Sequence, residues 1–253
     1  MKEILSTKNT LIKEFKKLHK KKYREEYQKY ILEGFHLIEE AVNAGAEIQW
    51  LLFNERGKKE WGEWLLEQAP NCCIFVSDEV LVYLSELPAP QGIIAIVNMP
   101  MMSVETITAG KWLLLDNIQD PGNVGTMIRT ADAAGLSGVI LGEGTADIYQ
   151  TKVLRAMQGS NYHLPIIKHS LMESIETCHK LKIPVYATEL NPNALPYTEV
   201  NATKQYALVM GNEGQGVSPE LLQSANQILY IPMKGKAESL NVAIAAGILM
   251  FYL

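Results

Sequence analysis

Apolar positions in the first thirty residues recur as a helix would place them. Leu11, Phe15, Leu18, Tyr23, Tyr27 and Tyr30 follow one another at intervals of three to five. Lysines fill most positions between them. That spacing predicts one or two amphipathic helices over 6–30, with a lysine-rich outer face. Tyrosine at helical spacing serves a core, and tyrosine among lysines serves base stacking; both readings stand at this point. The pattern then changes period. Ile31-Leu-Glu-Gly34 reads as a short strand and turn, Phe35–Ala44 as an amphipathic helix stopped by Gly45, and Ile48–Phe53 as a strand. Trp61–Gln68 and Asp78–Ser85 read as helices, with a strand at Cys72–Val76 between them. Gln91–Val97 lacks alternation, which predicts a strand covered on both faces. Alternating strands and helices make residues 1–97 a compact α/β domain.

Periodicity lapses from Met99, and a linker is expected over 98–109. The alternation resumes with a strand at Trp112–Leu115 and a turn at Asp120-Pro-Gly-Asn123. A helix then runs through Ala134 and stops at Gly135. Further strands are expected at Val139–Leu141, Val185–Thr188, Ala207–Met210 and Ile228–Ile231. Leu164–Lys168 reads as an edge strand, because Pro165 cannot donate to a ladder. Helices are expected at Thr151–Ser160, Leu171–Leu181, Pro219–Ala225 and Leu240–Leu253. Residues 110–253 therefore predict a second α/β domain with a mostly parallel sheet and helices on both faces.

Composition fits this picture: 47% apolar and 20% charged residues suffice for a packed core. The net charge of −5 is not that of a nucleic-acid protein, but its distribution is uneven. Residues 1–30 hold ten Lys/Arg against four Asp/Glu, or +6; the remainder holds 13 against 24, or −11. A basic arm on an acidic body is one way to hold a polyanion, and a solvated helix face is the alternative. Cys72, Cys73 and Cys178 form neither a metal-ligand spacing nor a disulfide frame, so reduced thiols in a cytoplasmic protein are expected. The N-terminus is charged from Lys2 onward and has no apolar h-region, so no secretory signal is expected. The apolar run Val242–Leu253 falls short of the roughly 20 residues of a membrane span.

Three stretches carry candidate chemistry. In Asp116–Thr130, Pro-Gly-Asn after a strand is a turn in which Asn123 is expected to cap the next helix. Arg129 stands six residues on, available to clamp a phosphate or to pair with Asp132 at i+3. Gly211-Asn-Glu-Gly-Gln-Gly216 follows a buried strand, where α/β proteins bind ligands, and its glycines admit close approach. It matches neither the dinucleotide nor the P-loop fingerprint. Ser239-Leu-Asn241 stands at the entrance of the last helix, the usual place of an N-cap. No metal-ligand cluster is visible among the five histidines.

Taken together and in order, these stretches resemble the three motifs of the SpoU (TrmH) family of RNA ribose methyltransferases, within the SPOUT class. Asn123 to Arg129 looks like the first motif, Gly211-Asn-Glu-Gly the second, and Ile231-Pro-Met with Ser239-Leu-Asn241-Val the third. Upstream, Ile31-Leu-Glu-Gly34 and Pro90-Gln-Gly92 resemble the small substrate-binding domain, similar to a ribosomal-protein fold, that many members carry. The resemblance implies a trefoil knot in the C-terminal domain, an exception to the unknotted rule. It implies a homodimer with the site completed across its interface, and methyl transfer from S-adenosylmethionine to a ribose 2′-hydroxyl of RNA, with rRNA favoured over tRNA. It assigns Gly211, Ile231 and Leu240 to the cofactor, and Asn123, Arg129, Glu213, Ser239 and Asn241 to the polar catalytic set. No metal and no membrane are implied. Many members have Ser or Thr where this chain has Ala243. Lys16, Lys17, Lys20, Lys21, Lys22 and Arg24 are expected to contact RNA phosphates. The competing reading is a non-catalytic RNA-binding or ribosome-assembly factor that keeps the fold.

Overall fold

The computed structural model describes residues 2–68, 72–100 and 107–253. The chain divides into two compact units, Met1–Met101 with Tyr149–Tyr162, and Met102–Ile148 with His163–Leu253. The expected linker at 98–109 falls partly on residues 101–106, outside the described ones.

The first unit is built on a five-stranded sheet of β1 (Lys2–Ile4), β2 (Lys29–Glu33), β3 (Ile48–Phe53), β4 (Cys73–Val76) and β5 (Ile93–Asn98), in the order β1-β4-β3-β5-β2. β1–β4 and β4–β3 are parallel, while β5 runs antiparallel to both β3 and β2. β5 is buried along Ile93–Val97, as its unbroken apolar run requires. The basic segment forms two helices, α1 (Thr10–Lys17) and α2 (Lys21–Tyr27). Asn9 caps α1 by accepting the Leu11 N–H at 2.9 Å. Ile12, Phe15 and Leu18 then pack into a core with Val80, Leu81 and Leu84 of α5 (Asp78–Leu84). α3 (Phe35–Asn43) follows α2, and α4 (Glu55–Gln68) starts six residues before the expected helix, with a kink at Trp61 (φ −135°, ψ 20°). The strand β1 was not legible: three residues near the chain end carry no period.

Segment Tyr149–Tyr162 lies inside 110–253 in sequence but belongs to the first unit. α7 (Thr151–Met157) buries Val153, Leu154 and Met157 there. Tyr30 is the reason this segment holds: it is 1% exposed, its ring meets that of Tyr149 at 4.6 Å, and its hydroxyl bonds that of Tyr162 at 2.8 Å. Tyr30 is therefore core. Tyr23 and Tyr27 are half-buried and stack on each other at 5.9 Å.

The second unit has a seven-stranded sheet of β6 (Lys111–Asp116), β7 (Gly138–Leu141), β8 (Ile166–Lys168), β9 (Val185–Thr188), β10 (Leu195–Pro196), β11 (Tyr206–Gly211) and β12 (Gln227–Tyr230), ordered β10-β12-β9-β11-β6-β7-β8. Every pairing in it is parallel, and β8 lies at the edge expected from Pro165. Its helices are α6 (Pro121–Ala133), α8 (Leu171–Lys180), α9 (Pro219–Ser224) and α10 (Val242–Tyr252). Trp112, Leu114, Val209, Ile175 and Leu221 belong to one buried cluster of this unit. Gly135 ends α6 as expected: its φ of +70° suits glycine, and the Leu136 N–H reaches back to Ala131 O at 2.9 Å. β10, only two residues long, was not foreseen.

The cysteines carry no disulfide; Cys73 and Cys178 are buried, and burial pushes both thiols up to about 11. Among the described residues no helix is long and apolar enough to cross a membrane, and no cluster of metal-ligating side chains is present.

Candidate functional site

The site lies at the carboxyl ends of β6 and β11, neighbouring parallel strands whose last residues, Asp116 and Gly211, are in register. This is where an open α/β sheet exposes loop backbone to a ligand. The loop after β6 leads into α6. Its cap is Asp120, whose Oδ1 accepts the Asn123 N–H at 2.9 Å, with Pro121 opening the helix. The expectation that Asn123 is the cap is thereby corrected: it sits inside the first turn. Pro121 occupies the first helical position, so the cap falls on the residue before it and the Asn123 side chain is left available.

That side chain joins three loops. Asn123 Nδ2 donates to Glu213 Oε1 at 2.9 Å, and its Oδ1 accepts from Asn241 Nδ2 at 3.0 Å. Glu213 also accepts the backbone N–H groups of Gln119 and Asp120, each at 3.3 Å. Burial alone would raise the Glu213 carboxyl. The hydrogen bonds from Asn123, its own backbone, Gln119 and Asp120 outweigh that and hold it below the ordinary carboxylate range. Asn241 has two tasks, since its Oδ1 also caps α10 by accepting Ala243 N–H at 2.9 Å and Ile244 N–H at 3.3 Å. Ala243, at the position where many family members have a hydroxyl residue, is buried.

Asn212 is a site residue that sequence reasoning missed. Its Nδ2 donates to Asn117 O at 2.8 Å and its Oδ1 accepts Gly214 N–H and Gln215 N–H at 2.9 and 3.0 Å. It fastens the β11 loop to the β6 loop. Asp116 does the same from the other side, accepting Ser218 N–H at 2.7 Å. The signal available in sequence was an Asn or Asp at a strand end beside glycines. Gly211 must be glycine for packing: a Cβ there would stand 2.1 Å from Val217 N and 2.2 Å from Gly216 C.

Beside this network opens a cavity of about 530 Å³, a size suited to a small cofactor. Gly211, Ile231 and Leu240 all line it, as do Glu213, Ser239 and Asn241. Thr188, Met210, Leu229 and Met233 add to its wall. Asn123 and Arg129 are not among its lining residues. Ser239 is exposed in the loop before α10. Arg129 is exposed on α6, and among the described residues its guanidinium has no ion pair or hydrogen bond. The pairing with Asp132 considered from sequence is not made; Asp132 Oδ2 instead meets His163 Nδ1 at 2.7 Å.

Sequence and structure comparisons give the family. Residues 111–251 match the SpoU rRNA Methylase family. The chain belongs to that family. Residues 9–95 match the MRM3-like substrate binding domain. The 23S rRNA (guanosine(2553)-2′-O)-methyltransferase RlmP of Bacillus subtilis is 42% identical over 253 residues, covering 100% of this chain and 99% of its own. The AdoMet-bound rRNA methyltransferase of Sinorhizobium meliloti superposes with a TM-score of 0.89 at 32% identity, over 99% of this chain and 96% of the other. The SpoU methyltransferase AviRb of Streptomyces viridochromogenes, in complex with AdoMet, gives 0.87 at 27% identity, over 97% of each chain.

The basic face of the first unit is partly as expected. Lys17, Lys20, Lys21 and Lys22 are exposed, and Lys16 is half-buried. Lys17 and Lys22 lie 5.4 and 5.9 Å from the Tyr23 ring, and Lys16 lies 5.3 Å from that of Tyr83. Arg24 departs from the expectation. It is 3% exposed, and its Nη1 donates to Leu18 O and His19 O, each at 2.8 Å. Its guanidinium holds the end of α1 and is turned away from solvent. The sequence groups it with the lysines of the basic segment, but its bonds to the Leu18 and His19 carbonyls hold it inward.

Proposed function

We propose that this chain transfers a methyl group from S-adenosylmethionine to a ribose 2′-hydroxyl of rRNA. One observation carries the reading: the Asn123–Glu213–Asn241 network joins all three motif loops at the rim of a cofactor-sized cavity. The donor set fits the cofactor. Loop backbone around Gly211 offers hydrogen bonds to a polar ligand, and Leu229, Ile231 and Leu240 offer apolar contact. When bound, the cofactor supplies a sulfonium methyl; its transfer forms a C–O bond to the ribose, breaks the C–S bond and leaves a neutral thioether.

The protein's part is positioning and charge. Glu213 and Asn123 fix the loop geometry, and Asn241 ties the α10 entrance to them. Arg129 is assigned to the RNA: a guanidinium stays protonated, so it does not serve as base. It pairs with a backbone phosphate and stabilises the charge that grows on the 2′-oxygen as its proton leaves. Ser239, exposed at the cavity edge, is the side chain assigned to hand that proton on. The rRNA assignment follows from the full-length match to a relative named for 23S rRNA methylation. We place the lysines of α1 and α2 against RNA phosphates and the protein in the cytoplasm.

The reading includes the family's trefoil knot and a homodimer. α10 supports the dimer: Ile244 is 55% and Phe251 67% exposed, seven residues apart and so on one face. Sedimentation of the wild type, expected to give a dimer, and of Ile244→Asp/Phe251→Asp, expected to give a monomer, tests that part. For the activity, labelled S-adenosylmethionine incubated with rRNA lacking the modification is expected to place label in a 2′-O-methyl nucleoside. Label on a base, or none with the cofactor bound, would refute the reading.

A further inference from the structure

The family's motifs include Arg129 but say nothing of what keeps it unpaired. Arg129 and Asp132 lie three residues apart within α6, neighbours on a helix surface. Left alone, such a pair forms an exposed ion pair, and a guanidinium so occupied competes poorly for phosphate. The structure shows the competitor removed. Asp132 Oδ2 meets His163 Nδ1 at 2.7 Å, with the two side chains 28% and 45% exposed. A carboxylate can only accept, so Nδ1 carries the proton in that bond. His163 stands just before Leu164, which is buried, so the chain anchors the imidazole beside α6. Arg129 has no carboxylate partner among the described residues.

We infer that His163 is a positioning residue: by holding the Asp132 carboxylate it keeps the Arg129 guanidinium open for an RNA phosphate. The inference rests on the assignment of Arg129 to the RNA. His163 does not line the cavity, and in this inference it acts through the Asp132 carboxylate. Its removal frees a carboxylate three residues from Arg129, whereas removal of both partners frees none.

Methyl transfer to rRNA is measured for the wild type, His163→Ala, His163→Gln, Asp132→Asn/His163→Ala and Arg129→Ala, with melting temperature and cofactor affinity for each. At low salt His163→Ala is expected to lower kcat/KM for RNA by about two- to fivefold, the scale of one exposed ion pair, mainly through KM. His163→Gln, which keeps a donor for Asp132, and the double variant are expected to recover most of the loss. The deficit of His163→Ala relative to wild type is expected to shrink as salt rises, because the competing pair is screened. A purely structural role predicts instead a lowered melting temperature and no recovery in the double variant. Wild-type kinetics in His163→Ala at low salt, or a double variant no better than the single, overturns the inference. Undiminished transfer by Arg129→Ala would overturn the assignment on which it rests, and so is distinguishable from failure of the inference alone.

Discussion

The first turn of α6 and its third turn present opposite kinds of polar residue. In the first turn, Asn123 spends both ends of its amide on Glu213 and Asn241, and Asp120 commits a carboxylate oxygen to the helix cap. In the third turn, Arg129 is exposed and unengaged among the described residues. Hydrogen bonds to a charged acceptor contribute about 1.5–3 kcal/mol, so the first turn is committed to architecture. A guanidinium left unpaired on an exposed helix face keeps all its donors for an external anion. Residues that a motif groups together thus divide into those that hold the loops and one, Arg129, whose charge is left unengaged among the described residues.

Removing the free cation is the strongest way to break this division. Arg129→Ala is expected to lower kcat/KM by about a hundred- to a thousandfold, the scale of removing one charge-stabilising donor. Melting temperature and cofactor binding should stay close to wild type, as steady-state kinetics, thermal unfolding and titration calorimetry will check. Gly211→Ala should invert that signature. The added Cβ would stand 2.1 Å from Val217 N, so the β11 loop must shift. We expect a loss of about 1–3 kcal/mol in stability, read by urea unfolding, with cofactor binding weakened alongside.

Glu213→Ala should remove the acceptor for one side chain and two backbone donors, at a cost of about 0.5–1.5 kcal/mol by chemical denaturation, because water can reach these exposed donors. The acid dependence has a defined sign. The Glu213 carboxyl is lowered in the folded state, so its contribution is present above the unfolded carboxylate range and is lost as pH falls through the native value. A Glu213→Gln variant should therefore lose less stability than the wild type across that acidic window. Smallest, and confined to the other unit, is the effect of the basic helices. Replacing Lys17, Lys20 and Lys21 with Gln should flatten the salt dependence of RNA binding by about one in log–log slope for each phosphate no longer neutralised. Arg24→Gln should instead lower the melting temperature, because Arg24 holds Leu18 and His19.

The elements with strong period were legible from residues alone. β5, β11 and the stripe of α1 lie within a few residues of their expected places, since buried runs and three-to-five spacing report burial directly. The residues assigned to the cofactor stand out only as ordered motifs: Gly211 alone is a turn glycine, and Leu240 alone a loop residue. What stayed hidden was tertiary. Nothing local shows that Tyr149–Tyr162 joins the first unit, because Tyr30 is its partner 132 residues before Tyr162. Nor does helical spacing reveal that Arg24 turns inward, or that Asp132 prefers His163 to the arginine on its own helix.

Transfer of labelled methyl to rRNA by wild type and Arg129→Ala, with the product nucleosides resolved by mass, tests the division between architecture and chemistry most directly. The expected result is a 2′-O-methyl nucleoside with the wild type and near loss of label with the variant, at equal cofactor affinity. A variant that transfers at the wild-type rate, or a wild type that labels a base, would contradict it.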